Sequence, residues 1–518
     1  MDDILEKADS GGWVVTLCLA PPTLGDNTAD ADRLKNVLKK QIGADHLAID
    51  LPLLKRLPRQ LRDWNYRCRC ICFKSRGQGE LIDIFPPDDN TPSAGIAVDL
   101  GTTRVVMRLI DLSTGEALGE TAFDNPQAAI GPDILERIHH AGRSGGLDAL
   151  NRMIVGEIDS AADSLCKGAG FGRDRVYLMA VAGNTSMTHL FLGVDPHGII
   201  REPYIPAINT PGLLRADELG LNLNSRARVF VFPNVGSYFG GDLIAGAVFA
   251  GFDTSERIAI LVDVGTNAEV LLGNRDWMVA CAGAAGPALE GGVSDIGMTA
   301  KPGVIDSVII DPKTRDFHLT TIEGLPPKGI CGSGMIDLAA QLFLSGMLDI
   351  RGRLSPDVRG GQLRDIDGMA HLVIVPESAS ATGQALTISQ ADIDSLIRSK
   401  AAMYTILETI TQYVGVGFAD IDTFYVAGTF GSFIRPRSAI SIGMIPDLPQ
   451  STYHTLGNSS LGGAARLLIE RGVVDRVAAI RDRITYLELN VNQDFMNRFS
   501  AAKFLPHTDA TRFPSVRF

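Results

Sequence analysis

Two short segments place an acidic residue, a glycine and hydroxyl-bearing residues at the end of an apolar strand. In AGIAVDLGTTRVVMRLI, Asp99 precedes Leu100, Gly101, Thr102 and Thr103; in AILVDVGTNAEVLLG, Asp263 precedes Val264, Gly265, Thr266 and Asn267. Glycine at such a turn lets backbone N–H groups approach phosphate oxygens closely, and the hydroxyl and amide groups supply further contacts. A carboxylate beside them can organise magnesium and so offset the charge of a polyphosphate, which makes Asp99 and Asp263 the candidate metal-organising acids. One Asp-x-Gly-Thr is weak evidence because ordinary β-turns use the same residues. Two copies in matching strand–turn–strand contexts, 164 residues apart, point instead to phosphate binding by two related halves that share one ligand.

Other residues fall into place around these turns. Asp242, in GGDLIAGA, is a candidate for positioning water near phosphates, with a helix-start role as the alternative. Ala427-Gly428-Thr429-Phe430-Gly431 ends a third apolar strand, and Gly428, Thr429 and Gly431 would admit close passage of an adenosine. Gly332 and Ser333 in CGSG, the Gly-Asn-Thr at 183–185 and Glu290 complete the binding candidates, with helix-start or surface roles left open. The loops contain neither the GxxxxGK signature of a Walker A motif nor the GxGxxG of a dinucleotide site.

The elements that must position these residues alternate between strand and helix, which predicts an α/β core. A small mixed domain is expected over 1–90, ending in the exposed connection PPDDNTPSAG. The first half is expected over 95–255, the second with an insertion over 256–475, and a C-terminal appendage over 476–518. A helix is predicted from Asp30 to Lys40 and another at Leu461–Glu470. In ISQADIDSLIRSKAAMYTILETITQYVGV, Ser389 is the predicted N-cap and Asp392 its capping-box partner.

Composition narrows the class. With 518 residues, 45% hydrophobic and 21% charged, the chain reads as a multidomain globular enzyme. A net charge of -12 disfavours nucleic acid and anionic membranes as general partners. The apolar runs Val229–Phe232 and Ile258–Val262 fall far short of the ~20 residues that span a bilayer, and no secretory signal opens the chain, so a cytoplasmic location is expected. Seven cysteines are too few and uneven for a disulfide framework. Three of them, in CRCIC at 68–72, would point to one face of a strand; ordinary reduced thiols, an incomplete metal site and redox exchange are the readings of that cluster.

Taken in order, the motifs resemble the superfamily of sugar and acetate kinases, heat-shock protein 70 and actin. The fold this implies is a duplicated actin-like, ribonuclease H-like ATPase core with a small N-terminal α/β domain and inserted subdomains. Over residues 12–507 the chain is most similar to the ATP-dependent reductive activators of corrinoid proteins. That match rests on the two turns together with NPQAAIGPDILERI, AGNTSMTHLFLG, GPALEGG, GICGSGMIDL, AGTFGSF and IGMIPDLP. The resemblance implies ATP and magnesium as ligands, and ATP-coupled return of cobalt(II) to cobalt(I) in a partner corrinoid protein of a methyltransferase system. It also implies a homodimer. Relatives commonly carry an iron–sulfur domain, whose cysteine pattern CRCIC does not reproduce; no intrinsic iron–sulfur cluster is expected, and a separate ferredoxin-like donor is. A small-metabolite kinase and a noncatalytic, nucleotide-dependent interaction module are the competing readings.

Overall fold

The computed structural model describes residues 12–89, 91–264, 267–284, 294–355, 362–428, 435–489 and 494–517. It divides into two compact units, residues 1–253 with 459–483 and residues 254–458 with 484–518.

The first unit opens with β1 (Val14–Cys18), α1 (Asp30–Ile42), β2 (His46–Ile49), α2 (Leu51–Asp63), β3 (Arg67–Ser75) and β4 (Gln78–Phe85), whose strands form a sheet in the order β1-β3-β4-β2. The predicted first helix extends two residues past Lys40, to Ile42, and Gly43 closes it in a left-handed conformation. Asp50 caps α2 by accepting from Leu53 N, and Pro52 sits in the first turn, where no N–H is needed. Cys68, Cys70 and Cys72 pack in one core with Leu34, Leu38, Leu53, Leu57 and Leu61. Burial pushes the Cys72 thiol up to about 12, and Cys70 is raised by its Cys68 neighbour and by burial. Cys70 and Cys72 are therefore held protonated, as small apolar side chains.

A second sheet follows, built from β5 (Ala94–Leu100), β6 (Arg104–Asp111), β7 (Ala117–Asp124), β8 (Val176–Gly183), β9 (Gly212–Arg215) and β10 (Arg228–Val231) in the order β7-β6-β5-β8-β10-β9. Every residue of β8 is buried, because the strand lies between two parallel neighbours and is covered on both faces. The helices of this part are α3 (Ile134–Ala141), α4 (Gly146–Gly168), α5 (Thr185–Leu192), α6 (His197–Ile200) and α7 (Gly241–Ala250). Asp83, 4% exposed, pairs with Arg56 of α2 and with Arg226, while Arg228 Nε lies 3.1 Å from Glu80, so charged pairs join the small sheet to the larger one.

The second unit repeats the central arrangement. Its sheet contains β11 (Ala259–Val264), β12 (Asn267–Gly273), β13 (Met278–Ala284), β20 (Thr423–Ala427), β21 (Tyr453–Gly457) and β22 (Ile484–Tyr486), ordered β21-β20-β11-β12-β13-β22. In each unit a three-stranded antiparallel meander continues into two parallel strands. Two small sheets are inserted, β14 (Val304–Ile310) with β15 (Phe317–Thr321) and β16 (Gly329–Ile330), and β17 (Leu363–Ile366) with β18 (Met369–Val375) and β19 (Leu386–Ser389). Helix α8 (Gly332–Leu344) follows β16, and α9 (Gln390–Tyr413) follows β19. The capping box expected at Ser389 and Asp392 is present, with Ser389 Oγ accepting from Asp392 N at 3.1 Å and Asp392 Oδ2 from Ser389 N at 2.8 Å.

After α10 (Pro436–Ser441), the chain returns to the first unit as α11 (Ser459–Ile469) and α12 (Val473–Arg483), then ends in the second unit with α13 (Asp494–Ala502). The linear sequence divides 459–483 between a second half and an appendage; in three dimensions α11 packs on α7, β5 and β8. Gly463 is required there, since a Cβ would lie 2.1 Å from Ala245 O. Among the described residues no helix is long and apolar enough to cross a membrane.

Candidate functional site: two register-matched acidic turns

Asp99 is the penultimate residue of β5, half-buried, opposite Val106 of β6 and beside Ala182 of β8. The turn after it is tight: a Cβ on Gly101 would lie 2.2 Å from Arg104 O, which only glycine avoids. Two asparagines hold this turn. Asn125 donates from Nδ2 to Gly101 O at 2.9 Å, and its own N–H reaches Thr103 O at 2.8 Å. Asn184 uses both ends of its amide, accepting from Met187 N at 2.9 Å as the N-cap of α5 and donating to Thr102 Oγ1 at 2.9 Å. Thr102 is half-buried and Thr103 exposed, and Arg104 sits 3.6 Å from Asp124 on the surface rather than in the turn.

Asp242 joins the same neighbourhood. It lies in the first turn of α7, with Oδ1 accepting from Leu243 N at 2.9 Å. Gly240, just before that helix, packs so closely that a Cβ would lie 2.5 Å from Asn184 Cα and 2.6 Å from Asp242 Oδ1. The first unit therefore gathers Asp99, Gly101, Thr102, Asn184 and Asp242 around one strand end, with two helix N-termini contributing their positive dipole ends.

In the second unit Asp263 holds the corresponding place, penultimate in β11, half-buried, opposite Glu269 of β12 and beside Ala427 of β20. Gly428 follows with φ +82, and a Cβ there would stand 2.7 Å from Asp263 Oδ1. The two units thus match residue for residue, Asp99–Ala182–Gly183 against Asp263–Ala427–Gly428. Gly332 and Ser333 open α8, but Ser333 is buried and its hydroxyl lies 3.1 Å from Cys331 Sγ. Gly265, Thr266, Glu290, Thr429 and Gly431 lie outside the described residues, as does the side chain of Asn267.

Asn125 opens the NPQAAIGPDILERI motif, but the sequence alone gives it no role at the Gly101 turn. Its signal is faint: an Asn-Pro pair directly after a strand, whose partner is 24 residues away. The pairing of VAG-Asn184 with VAG-Thr429 is a second repeat that the first turns overshadow.

Each strand end suits a magnesium-bound polyphosphate: a half-buried carboxylate near a position that only glycine fills, Gly101 against Arg104 O and Gly428 at positive φ against Asp263 Oδ1. Two sheets of one topology, each with an acidic residue penultimate in its central strand, define the ASKHA, or actin-like, class of ATPase folds. Family models match along the chain, the RACo linker region at residues 8–91, the RACo middle region at 94–255, and the C-terminal domain of RACo, the ASKHA domain, at 257–517. The chain belongs to the RACo family. The solved structure of a reductive activator for corrinoid, iron–sulfur protein is 37% identical, with a TM-score of 0.86 over 99% of this chain and 82% of that one. The corrinoid activation enzyme RamQ of Eubacterium limosum is 28% identical over 433 residues, 81% of this chain and 72% of RamQ. The Co(II) methylated amine-specific corrinoid protein reductase of Methanosarcina barkeri is 24% identical over 440 residues, covering 78% of this chain and 75% of that protein.

Proposed function

We propose that this protein is an ATPase that drives the reductive reactivation of a corrinoid protein in a methyltransferase system. The observation that carries this reading is the match of 99% of this chain to 82% of a reductive activator at 37% identity, reinforced by the strand-end acids Asp99 and Asp263 in matched register. ATP hydrolysis consumes water and releases ADP and phosphate; cobalt(II) becomes cobalt(I) by gaining one electron. Nucleotide supplies no electron, so a separate low-potential, ferredoxin-like donor is part of the proposal. Among the described residues no group of three or more His, Cys, Asp or Glu is arranged to hold a metal ion.

Asp99 and Asp263 would hold magnesium, whose role is to neutralise phosphate charge. The Gly101–Thr103 turn and the segment 265–267 would receive phosphate oxygens, with Gly428, Thr429 and Gly431 toward the nucleoside. Asn125 and Asn184 fix the first turn before ligand arrives, so binding spends less on ordering it. Asp242 would orient water. A cytoplasmic homodimer is the proposed assembly.

The test is reconstitution of this protein with a cobalt(II) corrinoid protein, ATP, magnesium and a chemical low-potential donor, following the cobalt(I) absorbance. ATP-dependent cobalt(I) formation is expected only with the protein present. Asp99→Asn and Asp263→Asn, each folded, should lower magnesium-dependent turnover by at least ~10-fold, since each removes a charge from the cation's ligands. Cobalt reduction at the same rate without the protein would sink the proposal.

A further inference from the structure

The first unit carries an exposed apolar turn on unusual backbone. In Arg201–Pro206, Tyr204 adopts φ +60, a left-handed conformation that L side chains adopt at a cost, and it does so where a glycine or asparagine would form the turn freely. Tyr204 is 46% exposed and Ile205 64% exposed, so the turn displays an aromatic and a β-branched side chain to solvent. Arg201 and Glu202 beside them are opposite in charge, leaving the tip to be recognised by apolar contact.

The turn is held firmly from below. Ser237 Oγ donates to Tyr204 O at 2.6 Å, Tyr204 N donates to Arg201 O at 2.6 Å, and the Tyr204 and Tyr238 rings lie 6.5 Å apart. A Cβ on Gly198 would stand 2.3 Å from Ile205 O. On the other side, buried His189 accepts from Ile208 N at Nε2, 3.3 Å, while its Nδ1 lies 2.7 Å from Thr185 O. A fixed tip loses little conformational freedom on docking, which suits a recognition element.

These supports run directly to the phosphate turn. Ser237 follows Gly236, whose carbonyl accepts from Thr185 Oγ1 at 3.1 Å; Thr185 follows Asn184, whose amide donates to Thr102 at 2.9 Å. Three hydrogen bonds and two peptide links therefore join Tyr204 to Thr102. A protein seated on the tip would act on the residues that hold nucleotide, and nucleotide would act on the tip by the same amount. Resting on the function proposed above, the occupant is the corrinoid-bearing protein, the macromolecule whose state ATP is spent to change.

We propose that the Arg201–Pro206 turn is the docking knob for the corrinoid-bearing protein, inserting Tyr204 and Ile205 into an apolar notch, and that docking is relayed to Thr102 through Ser237, Thr185 and Asn184. Two variants of the full chain separate the parts, Tyr204→Ser with Ile205→Ser for the knob and Thr185→Val for the relay. Cobalt(II) corrinoid iron–sulfur protein and a methylamine-specific corrinoid protein serve as probes. Measured are probe affinity, ATP hydrolysis with and without probe, and circular dichroism as the folding control. The knob variant should keep its basal hydrolysis and bind probe at least tenfold more weakly. The relay variant should bind within twofold of the unaltered protein but lose probe-stimulated hydrolysis. A knob variant that binds and responds normally overturns the docking site, as does one that loses only self-association. A relay variant with full stimulation overturns the relay. If the unaltered protein yields no cobalt(I) with either probe, the functional reading fails and this inference with it; success there with an unaffected knob variant refutes this inference alone.

Discussion

Replacing Asn184 with serine removes one interaction of a residue that makes two. Serine is as good an N-cap as asparagine, so the contact to Met187 N is replaced and stability should change by only a few tenths of a kcal/mol. Its hydroxyl is too short to span to Thr102 Oγ1, so the 2.9 Å bond that pins the Gly101–Thr103 turn is lost. A part-buried neutral hydrogen bond is worth ~1 kcal/mol net, which corresponds to about fivefold weaker binding of ATP. Asn184→Ala should show the same loss of affinity together with ~1 kcal/mol lower stability, a shift of about 2 °C in a unit of this size. Calorimetric titration with a nonhydrolysable ATP analogue and magnesium reads the first quantity, and denaturant unfolding the second. Because Thr102→Val removes the same bond from its other end, the double variant Asn184→Ser, Thr102→Val should cost ~1 kcal/mol less than the sum of the single changes. Additivity within ~0.4 kcal/mol would refute the idea that this bond positions the turn.

Gly428→Ala should destabilise the second unit by ~1–2 kcal/mol through its positive φ and should also depress ATP turnover, since its Cβ meets Asp263. Gly415→Ala, with φ +71 and open space around it, should show the stability loss alone, read by thermal unfolding beside a hydrolysis assay. Asp83→Ala strands Arg56 and Arg226 and should cost ~3 kcal/mol in urea unfolding, near the lower end for a broken buried pair because Arg56 remains part-exposed. Burial holds the His189 pKa below its ordinary value of 6.5, against the bond to Thr185 O and the Asp195 carboxylate, which favour the charged ring. With the folded value depressed, the neutral ring's contribution is complete above about 6.5 and is lost as pH falls below it. Thermal unfolding midpoints should therefore fall on acidification through that range, and His189→Leu should flatten that part of the profile.

Much of the fold was legible because its signals are local. The apolar strand, the acidic residue and the returning strand occur twice, the parts of each copy within a few residues of one another, and the Ser389–Asp392 capping box spans one helical turn. What could not be read depends on distant partners. Asn184 reads as a helix start because its cap bond is three residues away, whereas its bond to Thr102 spans 82 residues. Helix α11 was visible from its apolar spacing, but nothing in LGGAARLLIE announces that its glycines are shaped to α7, more than two hundred residues earlier. The CRCIC cluster shows the same limit: alternation places the sulfurs on one face, and only the leucines of α1 and α2 decide that the face is a core.

The return of α11 and α12 to the first unit bears on how the chain is made. Their residues leave the ribosome only after roughly 200 residues of the second unit. At ~5–20 residues per second, the surfaces of α7, β5 and β8 that α11 covers wait about 10–40 s for it during synthesis. That interval is an opening for chaperones and for aggregation alike, and it makes completion of the first unit a late event in the life of the nascent chain.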